Sequence, residues 1–262
     1  MDEKISEILD RYKKFPQVQA IAIGGSSAAQ TSDKSSDIDV YVFTSGDIDI
    51  AARESIIKQY SSRYEVGGEY FGAGDEFLID KIGIQLDVMY WNIDWFESVV
   101  KNIWEKHYPS NGYTTCFLYT LDVFNIIYDT ENKLHCLQEF IRTKYPLKLK
   151  NNIIKRNMML MKDKPFASYY EQIEKAIKRN DLNSINHRLS AFMASYFDVI
   201  FAMNEMLHPG EKRLLQYACA NCKLLPADFE SNINDLYSVS LKEVLPLLDK
   251  MFKELKSVLQ ET

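Results

Sequence analysis

Two short stretches hold the residues best suited to chemistry. The first is Ile23-Gly24-Gly25-Ser26-Ser27, and the second is Ser36-Asp37-Ile38-Asp39-Val40-Tyr41-Val42-Phe43. A Gly-Gly-Ser turn, bare of side chains at two positions, lets backbone N–H groups and a hydroxyl come close to a phosphate. Asp-x-Asp at the head of an apolar run sets two carboxylates on one face of a strand, because side chains alternate. Held side by side, they repel unless a cation stands between them. An all-oxygen set of this kind suits Mg²⁺, which takes one or two carboxylates together with substrate phosphates. In Ile82-Gly83-Ile84-Gln85-Leu86-Asp87-Val88-Met89 the even positions are apolar and Asp87 takes the opposite face. If the two strands are neighbours, Asp37, Asp39 and Asp87 form a carboxylate triad. Such a triad can hold one or two ions, about 3.5–4 Å apart when there are two, and Asp87 can take the proton of an attacking hydroxyl.

These acids need a sheet to position them. Val18–Ile23 is a short apolar run that ends in the glycine turn, and Ile38–Phe43 is a second, stopped by Thr44-Ser45-Gly46. Residues 2–15 place Ile5, Ile8, Leu9 and Tyr12 on one helical stripe, and residues 50–63 also have helical character. Glu65–Phe71 and Phe77–Tyr90 read as strand-like runs around a Gly72-Ala73-Gly74-Asp75 turn, where Asp75 and Glu76 are expected to be solvated. A helix follows over 94–107, and Phe124–Tyr128 adds a last strand. After Tyr145-Pro146 the β pattern gives way to helical spacing near 147–162, 166–179, 184–206, 210–222 and 241–260, punctuated by Pro165, Pro209 and Pro226. The expected architecture is α/β (α+β): a mixed sheet flanked by helices over 1–145, then a helical bundle over 146–262 for substrate.

The turn, the spacer, Asp-x-Asp at a strand head and the later strand Asp together resemble the DNA polymerase β-like nucleotidyltransferase superfamily, over roughly residues 18–90. The resemblance implies that Gly25 and Ser26 grip a nucleoside triphosphate while Asp37, Asp39 and Asp87 hold Mg²⁺. Gly24 and Ser36 flank these motifs and complete the nucleotide set, with Lys212 from the helical half as a phosphate or substrate contact. The size and the helical second half look like the small-molecule branch, which includes aminoglycoside and lincosamide nucleotidyltransferases. Phe201-Ala202-Met203-Asn204-Glu205 and His208-Pro209-Gly210-Glu211-Lys212-Arg213-Leu214 more narrowly resemble a bacterial group of the superfamily with an Asn, a Pro and a Lys together in the helical domain. The implied activity is transfer of a nucleoside monophosphate, AMP from ATP, to a hydroxyl of a small molecule. Transfer to a protein or tRNA end, and a non-catalytic nucleotide-binding module, are the alternatives.

Composition sets the outer bounds. The chain has 262 residues, 46% apolar and 26% charged, which is the make-up of a globular protein. Its net charge of −6 lacks the footprint of a general nucleic-acid binder. No window is long and apolar enough to span a bilayer, and Cys116, Cys136, Cys219 and Cys222 make no disulfide framework, so a cytoplasmic setting is expected. Gly46-Asp47-Ile48-Asp49 repeats Asp-x-Asp but precedes a helical stretch, which suits helix capping. Cys219-Ala220-Asn221-Cys222 has no second ligand pair for zinc. Asn204 near a helix end suits a cap, with Asn204 and Glu205 as weaker substrate contacts, and His208 beside Pro209 is a further cleft candidate.

Overall fold

The computed structural model describes residues 2–25, 37–70, 72–164 and 166–261. The chain divides into two compact units, Met1–Lys101 with Thr120–Thr143, and Asn102–Tyr119 with Lys144–Thr262.

The first unit is built on six strands: β1 (Val18–Ile23), β2 (Ile38–Thr44), β3 (Tyr64–Gly68), β4 (Gly74–Ile79), β5 (Ile84–Asn92) and β6 (Asn125–Asp129). They lie in the order β3-β4-β5-β2-β1-β6. The β2–β5 pair is parallel and every other pair is antiparallel, so the sheet is mixed, as the sequence led us to expect. The long run Phe77–Tyr90 does not form one strand. It folds back at residues 80–83, where Gly83 takes a left-handed φ of 68° that other residues rarely adopt.

The two faces of the sheet have different covers. Val40, Val42, Leu86 and Val88 face a core completed by Ile5, Ile8, Leu9 and Tyr12 of α1 (Glu3–Tyr12) and Ile57 of α2 (Ile50–Ile57). Asp2 starts α1 by accepting from the Lys4 N–H at 2.7 Å. Asp49 starts α2 by accepting from the Ala52 N–H at 3.0 Å, so the second Asp-x-Asp is a helix cap. On the opposite face the strand ends are aromatic: Phe43 lies 5.1 Å from Phe96 of α3 (Ile93–Trp104), and Tyr41 lies 4.8 Å from both Trp91 and Phe124. Ala20 pairs with Phe43 and Ala22 with Tyr41, small residues that leave space for these rings. Two further helices, α4 (Cys116–Val123) and α5 (Lys133–Ile141), are short and were not distinguished by periodicity.

The second unit is helical: α6 (Leu147–Met158) continuing into a π-helical turn (Met159–Asp163), then α7 (Tyr169–Lys178), α8 (Leu182–Met203), α9 (Leu214–Asn221), α10 (Phe229–Leu236) and α11 (Leu241–Glu261). The sequence reading has no counterpart to α10. From Phe192 to Met203, α8 is buried almost all round, the pattern of a central core helix. Tyr196, Val199, Ile200 and Phe201 pack there with Leu248, Met251 and Leu255 of α11. Among the described residues, no helix is long and apolar enough to cross a membrane.

Candidate active site

The strand register places acids side by side. Asp39 on β2 pairs with Asp87 on β5, Asp87 pairs with Glu76 on β4, and Glu76 pairs with Glu65 on β3. Residues paired across a ladder project from the same face, so these carboxylates form one row across four strands. Asp37 lies at the head of β2, two residues before Asp39 and on the same face. The row occupies the end of the sheet face that the aromatic cluster leaves bare, and a cavity of about 400 Å³ is lined by Asp39, Asp87, Glu76, Glu65 and Tyr70.

Asp39 and Asp87 are half-buried, whereas Asp37, Glu65 and Glu76 are exposed. Gln85 donates from Nε2 to Asp87 Oδ1 at 2.9 Å, which fixes the orientation of that carboxylate. Glu76 titrates above its ordinary range, first through partial desolvation and then through repulsion by Asp87, Glu65 and Asp37. A cation placed over the row would relieve that repulsion. Among the described residues, no three His, Cys, Asp or Glu side chains converge closely enough to make a metal cage. The donor set itself, hard carboxylate oxygens at neighbouring register positions, fits a hard divalent cation that completes its shell from a phosphate-bearing substrate.

The glycine turn fits against Asp39. The Gly24 N–H donates to the Asp39 backbone oxygen at 2.9 Å. A Cβ at Gly24 would sit 2.6 Å from the Tyr41 ring, so this glycine is required by packing. At Gly25, φ is 66° and a Cβ would sit 1.6 Å from Asp39 Oδ2. Gly25 therefore brings bare backbone directly against a site carboxylate, and no other residue can occupy the position without displacing it.

Of the residues singled out by sequence, Gly24, Gly25, Asp37, Asp39 and Asp87 come together at this end of the sheet. Ser26 and Ser36 lie outside the described residues. Lys212 lies in an exposed turn before α9 in the second unit. Asn204 caps α8, its Nδ2 donating to the Ile200 carbonyl at 2.8 Å, while its Oδ1 accepts from the Lys223 and Leu224 N–H groups at 2.9 and 2.8 Å. Glu205 pairs with Lys150 at 3.2 Å. His208 is fully buried, and burial lowers it to about 4. Cys219 is exposed and Cys222 buried, both as free thiols.

Asp75 and Glu76 are the residues that sequence reasoning misplaced. They lie within β4 instead of on a solvated turn, and they point to opposite faces. Asp75 is buried on the core side, where Arg53 Nη1 donates to it at 2.9 Å, Tyr90 Oη at 2.6 Å and the Gly67 N–H at 2.9 Å. Glu76 joins the acid row, with Glu65 beside it on β3, a position that local pattern does not single out. A hairpin turn at 80–83 was the available signal: counting three residues outward from Ile79 and Ile84 pairs Glu76 with Asp87.

Residues 3–111 match the family model described as a nucleotidyltransferase domain. No curated protein matches the chain. Among solved structures, a nucleotidyltransferase-like protein from Exiguobacterium sibiricum is 11% identical, covering 98% of this chain and 73% of its own, with a TM-score of 0.47. The Thermotoga maritima CCA-adding enzyme complexed with tRNA is 12% identical, covering 100% of this chain and 82% of its own at a TM-score of 0.29. At such identities and scores these likenesses carry no argument about the reaction. The family match covers less than half of the chain, and over residues 3–111 the chain is similar to nucleotidyltransferase domains.

Proposed function

We propose that this protein transfers a nucleoside monophosphate, AMP from ATP, to a hydroxyl of a small molecule in the cytoplasm, and that the reaction depends on Mg²⁺. The observation that carries the reading is the register pairing of Asp39 with Asp87 on adjacent parallel strands, with Gly25 pressed against Asp39. Asp37, Asp39 and Asp87 would hold Mg²⁺, which supplies charge neutralisation at the triphosphate and polarises its α-phosphorus. Gly25 keeps a side chain out of the space beside Asp39, and Gly24 holds the turn against Tyr41, so the triphosphate can lie close to the backbone there. Gln85 orients the Asp87 carboxylate through Oδ1, and that carboxylate receives the proton of the acceptor hydroxyl. In the transfer, the acceptor oxygen forms a bond to the α-phosphorus, the bond from that phosphorus to the bridging oxygen breaks, and pyrophosphate leaves. Lys212 is a candidate contact for phosphate or acceptor.

Titrating ATP with Mg²⁺ into wild type and into Asp37→Ala/Asp39→Ala by calorimetry tests the nucleotide site, and binding should be lost in the double variant. Pyrophosphate release with hydroxylated acceptors then tests the reaction, read alongside mass spectrometry of the acceptor. Undiminished turnover in Asp39→Ala would refute the assignment.

A further inference from the structure

The helical unit contains a cavity of its own, of about 330 Å³, whose residues all belong to that unit. Its floor is apolar. Met193 and Phe197 come from one face of α8, with Leu215 of α9 and Ile233 of α10 beside them. Tyr113, Tyr237 and Glu211 also line it. Tyr237 is 74% exposed and Tyr113 36%, so both rings are open to a ligand from solvent.

Tyr113 is held in place at a cost. Its φ of 55° lies in the left-handed region, which L side chains adopt rarely. The residues on both sides are fixed by buried polar groups. The Gly112 N–H donates to Asn157 Oδ1 at 3.0 Å, and Thr114 donates from N and Oγ1 to Asp198 at 3.0 and 2.6 Å. The ring then lies 4.8 Å from the ring of His208, which burial keeps neutral at physiological pH. The Tyr113 hydroxyl titrates above its ordinary value, through burial first and then through Glu211, Cys116 and Tyr237, and Glu211 and Tyr237 line the same cavity.

Two aromatic rings and a carboxylate over an apolar floor are the elements that recognise an organic cation: the rings attract it through their quadrupoles, the carboxylate through its charge, and the floor takes the hydrocarbon. We propose that this cavity binds a small organic cation, a substituted ammonium group attached to an apolar body. The ammonium lies among Tyr113, Tyr237 and Glu211, and the body contacts Met193 and Phe197. The site shares no residue with the acid row and does not depend on the transfer reaction.

The test uses the full chain with ¹³C-methyl-labelled methionine and the probe benzyltrimethylammonium, alongside its uncharged carbon isostere neopentylbenzene. A Met193→Leu variant assigns the Met193 methyl resonance. That resonance should shift saturably with a dissociation constant on the order of a millimolar. Binding should weaken about fivefold in Glu211→Gln and again in Tyr237→Ala, and the isostere should bind more weakly than the cation. No saturable shift at Met193, or equal binding of the two probes with no effect of Glu211→Gln, would overturn the proposal.

Discussion

Asp198 and His208 are both buried in the helical unit, and their titration drives its stability in opposite directions as pH changes. Asp198 accepts from Thr114 and from Asn157 Nδ2, but burial dominates and raises it from 3.8 to about 6. Between those values the folded state holds a proton that the unfolded chain has released. Stability is therefore greatest below the unfolded value and falls as pH rises through about 6. At 1.36 kcal/mol per pH unit this contribution is about 3 kcal/mol. His208 shows the reverse. Its Nδ1 accepts from the Gly210 N–H at 3.1 Å, its Nε2 is buried without a partner among the described residues, and burial lowers it from 6.5 to about 4. The unfolded chain holds the extra proton in that window, so stability rises with pH there, again by about 3 kcal/mol. The two slopes nearly cancel in the wild type, and Asp198→Asn uncovers the histidine slope. We expect urea titrations of the full chain, followed by far-UV circular dichroism, to show the variant gaining about 3 kcal/mol relative to wild type between about pH 4 and pH 7. His208→Gln should shift the same difference by a similar amount against the variant. A shift below about 1 kcal/mol in Asp198→Asn, or one of opposite sign, would refute the reasoning.

Other consequences can be measured directly. Gly25→Ala should lower pyrophosphate release by about a hundredfold, because the new Cβ displaces the Asp39 carboxylate, while the melting temperature changes little. Arg53→Met leaves Asp75 charged and buried without its ion-pair partner, and should cost about 3–5 kcal/mol in urea unfolding. Adding Asp75→Leu to that variant should recover much of the loss, since an apolar pair replaces the stranded charge.

The parts of the fold legible in the sequence were those written in local pattern. Apolar runs ending in glycine gave β1 and β2, and the helical stripe of Ile5, Ile8, Leu9 and Tyr12 gave α1. What was not legible depended on pairing between distant segments. Nothing local distinguishes Asp75 from Glu76; the strand alternation sends one into a buried ion pair with Arg53 and the other into the acid row. Gly24 looks like a phosphate-approach glycine, yet Tyr41 requires it for packing. The short helices α4 and α10 have too few turns for periodicity to register. Asp198 looks like a surface acid until α8 is seen to be buried on nearly every side.

The parallel pairing of β2 with β5 also governs when the acid row comes into being. Each antiparallel neighbour in β3-β4-β5 joins through a short reversal, but β2 meets β5 only after α2, β3 and β4 have been laid down between residues 39 and 87. Closing so long a loop costs entropy that hairpins do not, and here it ends by bringing two like charges into register. Asp39 and Asp87 can meet only once β5 has been made and has docked beside β2. A chain with either acid neutralised should close this step more readily and unfold less easily than the wild type, so the same pairing that creates the site limits the stability of the sheet that carries it.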